Sequence, residues 1–204
     1  SAVIDEIITS NPMDKIKNEE KPKRRRTERA FLTIDELKIL SQTDFHNATL
    51  KKAFLFSCFC GLRHSDIVAL TWGNLKKGKV GKMELHMTQQ KTQEILSLPL
   101  SKEALKQLPV RGKVPDTEKV FKGLISLGRT NEILPKWAAK AGIQKHITFH
   151  SARHTHATMM ITLGADLYTV SKLLGHTNIQ TTQIYAKIVD ESKEKAIDLI
   201  PDIT

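Results

Sequence analysis

The sequence predicts a mainly α-helical fold with one small antiparallel β-sheet. Apolar residues recur at helical spacing through most of the chain, and the period shortens to two between residues 83 and 100. Glycines or capping residues also stand at the expected element boundaries. At 204 residues the chain is long enough for one good core with a small appendage.

Val3, Ile4, Ile7 and Ile8 form a helical stripe over residues 1–8, which Asn11-Pro12 ends. Such a stripe makes no core alone, so it reads as the tail of an upstream domain, with Ser1 the cut end of a longer protein. A polar linker follows over 15–29 and holds Lys21, Lys23, Arg24, Arg25, Arg26 and Arg29. Its readings are a solvated tether, a nuclear-import signal, or a tether that also tracks DNA phosphates. The folded part opens at Thr33-Ile-Asp-Glu36, a capping box, with Leu32 and Leu37 as its hydrophobic staple. An apolar helix covers about 50–60 and stops at Gly61, which suits a left-handed C-terminal cap. Ser65 is expected to cap a short helix carrying Ile67, Val68 and Leu70.

Met83, Leu85 and Met87 then alternate with polar residues, as do Leu96, Leu98 and Leu100, around the polar tip 89–93. This is a β-hairpin, with a further strand near 75–80. Helical spacing returns from Asn131 with Ile133, Leu134, Trp137, Ala138 and Ala141, before Gly142. Another helix covers about 150–163 before Gly164, and Leu167, Val170, Leu173 and Leu174 make the next before Gly175. Thr177-Asn-Ile-Gln180 reads as a second capping box, opening a helix that carries Tyr185 with Ile184 and Ile188 on its buried stripe. A tail helix over 191–200 ends in Ala196, Ile197, Leu199 and Ile200.

The formal charge of +10 points to an anionic partner: an acidic substrate, a membrane surface or nucleic acid. The longest apolar run is too short to span a bilayer and no signal-peptide pattern is present, so no membrane role is expected. Cys58 and Cys60 lie in the apolar run 53–60 and read as core thiols in a reducing compartment, with a two-cysteine metal site as the second reading.

The chemistry concentrates late in the chain. His176 and Tyr185 stand nine positions apart, behind His150-Ser-Ala-Arg153. A phenol can attack a phosphodiester, and arginine and histidine can neutralise the charge that grows on phosphate, without a metal. His150 and Arg153 fall on one side of a helix start, where an arginine can grip phosphate through two parallel hydrogen bonds. His176 precedes a capped helix whose amides attract an anion. Arg63 follows a helix end with Asp66 placed to hold it, and Lys91 sits at the hairpin tip. Taken singly, each has a plain structural explanation: a surface ion pair, a capping histidine, a half-buried tyrosine, a solvated lysine. Their joint occurrence on a basic chain favours the chemical reading.

Gly61-Leu-Arg63-His-Ser-Asp-Ile-Val-Ala-Leu-Thr-Trp72, Gln90-Lys91-Thr92, His150-Ser-Ala-Arg153-His154, and Leu174-Gly-His176 followed by Tyr185 together resemble the tyrosine recombinase family, the phage integrases. The resemblance covers about residues 30–190 and implies that family's catalytic-domain fold. It assigns the active-site positions to Arg63, Lys91, His150, Arg153, His176 and Tyr185. Asp66 stands where a glutamate is frequent, and His154 and His156 add a histidine-rich face without an expected catalytic use.

The resemblance further implies that Tyr185 attacks DNA to leave a 3′-phosphotyrosyl link and a free 5′-hydroxyl. Arg63 and Arg153 would clamp the non-bridging oxygens, and His176 would donate to the same phosphate. Lys91 would protonate the leaving oxygen; His150 is the first candidate to take the phenol proton, with the base left open. No metal, cofactor or ATP is implied. The expected partners are double-stranded DNA and further copies of the full-length protein, as a tetramer, with the tail at 191–204 reaching a neighbour. The expected setting is the bacterial cytoplasm and nucleoid. Rival readings are a type IB topoisomerase, a DNA-binding module of the same fold without chemistry, and a zinc hydrolase built on His150, His154 and His176.

Overall fold

The computed structural model describes residue 16, residues 30–78 and residues 81–185. The helix expected at 1–8, the basic linker apart from residue 16, the end of the strand expected over 75–80, and the tail at 191–204 lie outside the described residues. Within them the chain runs α1 (Ile34–Gln42), α2 (Ala48–Cys60), α3 (His64–Ala69), β1 (Leu75–Lys77), β2 (Met83–Thr88), β3 (Ile95–Pro99), α4 (Lys102–Lys106), α5 (Leu127–Lys140), α6 (Phe149–Thr162) and α7 (Leu167–Leu174). The mainly α fold with a small antiparallel sheet is the one expected. The sheet order is β1-β2-β3. Leu85 opposes Leu98 and Met87 opposes Leu96 on the buried face, so the period-two alternation fixes the register.

Local chemistry explains most boundaries. The Thr33–Glu36 capping box is formed in both directions, which satisfies two amide donors at the start of α1. Gly61 closes α2 with φ 74°, in the left-handed region that a side chain with a Cβ rarely adopts.

Four boundaries differ from the pattern-based reading. The cap of α3 is the Arg63 position, whose amide donates to Asp66 at 3.2 Å, so Ser65 lies inside the first turn. α5 starts at Leu127, four residues before the expected start at Asn131, because the Ser126 hydroxyl caps a first turn with no buried apolar residue, whose inward position is the polar Thr130. The five-residue α4, capped by Ser101, is too short to leave a periodic signal. The largest difference falls after His176, where two 3₁₀ turns, Ile179–Thr181 and Gln183–Tyr185, replace the expected helix. Asn178 rather than Thr177 caps the first turn through the Gln180 amide. Ile179, Thr181, Thr182 and Ile184 are β-branched and lose side-chain freedom in a helix, and Thr182 is pulled inward to His176. Ile184 is exposed, and Ile188 lies outside the described residues.

The core centres on α2, buried on nearly every side, as befits a helix apolar all round. It packs chiefly against α6. Phe54 meets Trp137 and Phe149 edge-on at 6.0 and 5.9 Å. Cys58 and Cys60 are free thiols in this core, and burial pushes Cys60 up to about 12. Among the described residues no helix is long and apolar enough to cross a membrane.

α6 is the anomaly in this core. It is buried along most of its length, yet it contributes Ser151, Arg153, His154, Thr155, His156 and Thr158 to the interior. Buried polar groups cost stability unless they are bonded, so their partners identify the site.

Candidate active site

Arg153 ties two helix ends together. Its Nη1 donates to the Gly61 carbonyl at 2.8 Å and its Nη2 to the Leu174 carbonyl at 2.7 Å. These oxygens close α2 and α7, where helices leave carbonyls unpaired and carry negative partial charge. An arginine has five donors, so the guanidinium keeps others for a substrate while its position is fixed. Burial and the charge of Arg63 pull Arg153 down to about 10, against opposing contributions from Tyr185, Asp66 and Cys60. It stays cationic at neutral pH.

Arg63 is held by Asp66 as expected. The fully buried Asp66 carboxylate accepts from the Arg63 amide at 3.2 Å and lies 3.9 Å from Nη1. Its other oxygen accepts from the Gln90 amide at 2.8 Å, which brings the root of the hairpin tip to Arg63. Arg63 Nη1 is buried and makes no hydrogen bond among the described residues. A buried cationic donor without an acceptor is costly in isolation and suits an incoming anion.

His176 lies just after Gly175, the left-handed cap of α7. Its Nδ1 pairs with the Thr182 hydroxyl at 2.8 Å. Burial first, then Arg153, Arg63 and His150, lower its pKa to about 4, so the ring is neutral at physiological pH. In the tautomer in which the Thr182 hydroxyl donates to Nδ1, the one ring proton is on Nε2 and can be donated. The short 3₁₀ turns that follow remove the expected anion-binding helix N-terminus. His176 side-chain chemistry takes its place.

Tyr185 is 6% exposed, and its hydroxyl meets His154 Nδ1 at 2.5 Å. His154 is the residue that the motif reading left without a use. It lies one position after Arg153 on α6, and burial of this helix on most sides brings both side chains to the site. His150, the expected partner of the phenol, is exposed and packs edge-on against the His154 ring at 4.5 Å. His156, on the same helix, turns instead to the Cys58 carbonyl at 3.3 Å, and burial is the main cause that lowers it to about 4.

The fold therefore gathers Arg63, His150, Arg153, His176 and Tyr185 into one electrostatically coupled cluster. Lys91 is exposed on the adjoining tip, one residue beyond the Gln90 amide that bonds Asp66. The linker cations Lys21, Lys23, Arg24, Arg25, Arg26 and Arg29 fall outside the described residues. Among the described residues no group of three or more His, Cys, Asp or Glu side chains is arranged to hold a metal, so the zinc reading finds no ligand cluster.

A mainly helical domain with this sheet and this cluster of two arginines, three histidines and a tyrosine defines a class. The chain belongs to the phage integrase family, whose model matches residues 30–192. It is the catalytic domain of a site-specific tyrosine recombinase. A tyrosine recombinase of Pseudothermotoga lettingae is 30% identical over 196 residues, covering 94% of this chain and 67% of that protein. The solved XerA recombinase has the same fold, with a TM-score of 0.66 at 20% identity, over 82% of this chain and 65% of that one. The XerH site-specific recombinase, solved bound to its palindromic difH substrate in a post-cleavage complex, matches with a TM-score of 0.62 at 18% identity. That match covers 85% of this chain and 54% of XerH.

Proposed function

We propose that this domain cleaves and rejoins double-stranded DNA through a 3′-phosphotyrosine intermediate, with neither metal nor ATP. Tyr185 Oη attacks the scissile phosphorus, a new P–O bond forms, and the bond to the 5′ oxygen breaks. The phenol proton passes to His154 Nδ1, and the leaving oxygen takes a proton from Lys91. Attack by a 5′-hydroxyl reverses each step, so phosphodiester energy is conserved and strands exchange without a nucleotide. A free phenol has a pKa near ~10 and needs such help to ionise. The charge of Arg153 favours negative charge on the phenol oxygen, and His150 against His154 supports the imidazolium's position.

Arg63, Arg153 and His176 stabilise the charge that develops on the non-bridging oxygens; each such donor is worth ~3 kcal/mol of barrier. The observation that carries this reading is the Tyr185 hydroxyl on His154, inside a cluster where Arg63 Nη1 presents a buried, unbonded donor. The basic linker adds phosphate contacts through Lys21, Lys23, Arg24, Arg25, Arg26 and Arg29. In the whole protein an upstream domain closes on the DNA from the other side, and the 191–204 tail joins protomers into a tetramer.

The test is covalent trapping on a nicked suicide DNA duplex, read on a denaturing gel. The wild-type chain should form a protein–DNA adduct and Tyr185→Phe none, with DNA affinity retained. An adduct formed by Tyr185→Phe would remove the nucleophile assignment. No adduct with the wild-type chain on a cognate site would favour a binding module without chemistry.

A further inference from the structure

Besides the Gln90–Asp66 bond, the hairpin tip that carries Lys91 is pinned at its root by a buried side-chain amide. Gln89, directly after β2, is fully buried. Its Nε2 donates to the Leu174 carbonyl at 3.2 Å, and its Oε1 accepts from the Thr92 hydroxyl at 2.9 Å. Its backbone closes the same turn: Gln89 N donates to Glu94 O, and Gln93 N donates to Gln89 O, each at 2.9 Å. The Leu174 carbonyl is also the one that Arg153 Nη2 holds at 2.7 Å.

Gly175 makes the approach feasible. A Cβ there would stand 2.7 Å from Gln89 Oε1 and 2.9 Å from Nε2, closer than real Cβ atoms come. Burying a primary amide is unfavourable unless both its ends are bonded, and a leucine or methionine would fill this space without that cost. What the amide adds is a link between two elements. One end grips the residue after Lys91, and the other grips the α7 terminus that precedes His176 and anchors Arg153.

We propose that Gln89 is a positioning residue that holds the Lys91 tip in register with the Arg153–His176 turn. This rests on the reading of Lys91 as the acid that protonates the leaving oxygen. Loss of the link leaves Lys91 in place chemically but spread over many orientations, so leaving-group protonation slows while phosphate clamping persists.

The test compares Gln89→Met, Lys91→Ala and the double variant on two suicide substrates. One has the normal 5′ oxygen; the other has a 5′-bridging sulfur, which leaves without protonation. Gln89→Met should cleave the oxygen substrate roughly tenfold slower, a fraction of the ~100-fold or more that a general acid supplies. It should recover on the sulfur substrate, as Lys91→Ala does, and the double variant should be no slower than Lys91→Ala.

If Lys91→Ala itself is not recovered by sulfur, the acid assignment fails. If Lys91→Ala is recovered but Gln89→Met stays slow on both substrates, or is not slow on either, the role of Gln89 is overturned. Should Gln89→Met not fold, Thr92→Val decides, since it removes only the hydroxyl that the tip gives to Gln89. A slowing relieved by sulfur upholds the link, and no slowing or an unrelieved one overturns it.

Discussion

The two arginines and the lysine of the site are held in opposite ways. Arg63 caps α3 and is fastened to Asp66, while Arg153 lies within the buried α6 and is fastened to carbonyls that close two other helices. Lys91 stands exposed on a hairpin tip, fastened among the described residues through its neighbours Gln89, Gln90 and Thr92. The difference fits the two tasks proposed for them. Charge on the phosphate develops in place, and donors stabilise it best when they are already oriented. A leaving oxygen moves away as its bond breaks, and an acid in the role proposed for Lys91 would meet it best from an adjustable arm with a fixed root.

The sharpest way to break this contrast is to remove each cation and measure both stability and cleavage. Arg153→Ala should slow adduct formation by ~100-fold or more. It should also lower unfolding stability by about 2 kcal/mol or more, because the Gly61 and Leu174 carbonyls lose their partner. Lys91→Ala should leave the urea midpoint within ~0.5 kcal/mol of wild type, as surface substitutions do. Equal stability losses in the two variants would end the distinction.

A smaller effect separates the histidines of α6. His154→Ala removes the contact to the Tyr185 hydroxyl, whereas His150→Ala removes a ring packed edge-on against His154 that also bears electrostatically on His176. His154→Ala should slow single-turnover cleavage by ~100-fold, within the range of a general base, and His150→Ala by less. The reverse ranking would return the proton to His150.

An effect on stability alone, with no expected change in cleavage, lies behind the site, where His156 is buried against Cys58 with its pKa lowered to about 4. Its unfolded value is near ~6.5. Between these values the unfolded chain binds a proton that the folded chain does not, so folding stability rises with pH. It is intact above about pH 6.5 and is lost as pH falls towards 4, by up to ~1.4 kcal/mol per pH unit. Denaturant titrations across this window should give a shallower pH slope for His156→Gln than for wild type. Equal slopes would show that His156 is protonated alike in both states.

Much of this molecule is legible in the sequence because much of it is local. The Thr33–Glu36 box, the left-handed Gly61 and Gly175 caps and the leucine alternation of the hairpin each depend on residues within a few positions of one another. The motifs around Arg63, Lys91, His150, Arg153, His176 and Tyr185 point to the family by residue type and order, and the proposed chemistry rests on them. What the sequence left undecided depends on packing between distant segments. Local rules favoured a helix through Tyr185, but the inward pull of Thr182 on His176 and a run of β-branched residues produced two tight turns instead. They read His154 as surplus, yet burial of α6 against the Tyr185 turn sets its ring on the phenol, 31 positions away. They read Gln89 as part of a polar tip, while the structure buries it against Leu174, 85 positions away. The sequence by itself determined which groups are present and most of the helices and strands that carry them, though not the turns that carry Tyr185. Only the tertiary structure decided which of them touch, because hydrogen-bond partners across such separations are set by how buried surfaces fit together, and no local periodicity encodes that.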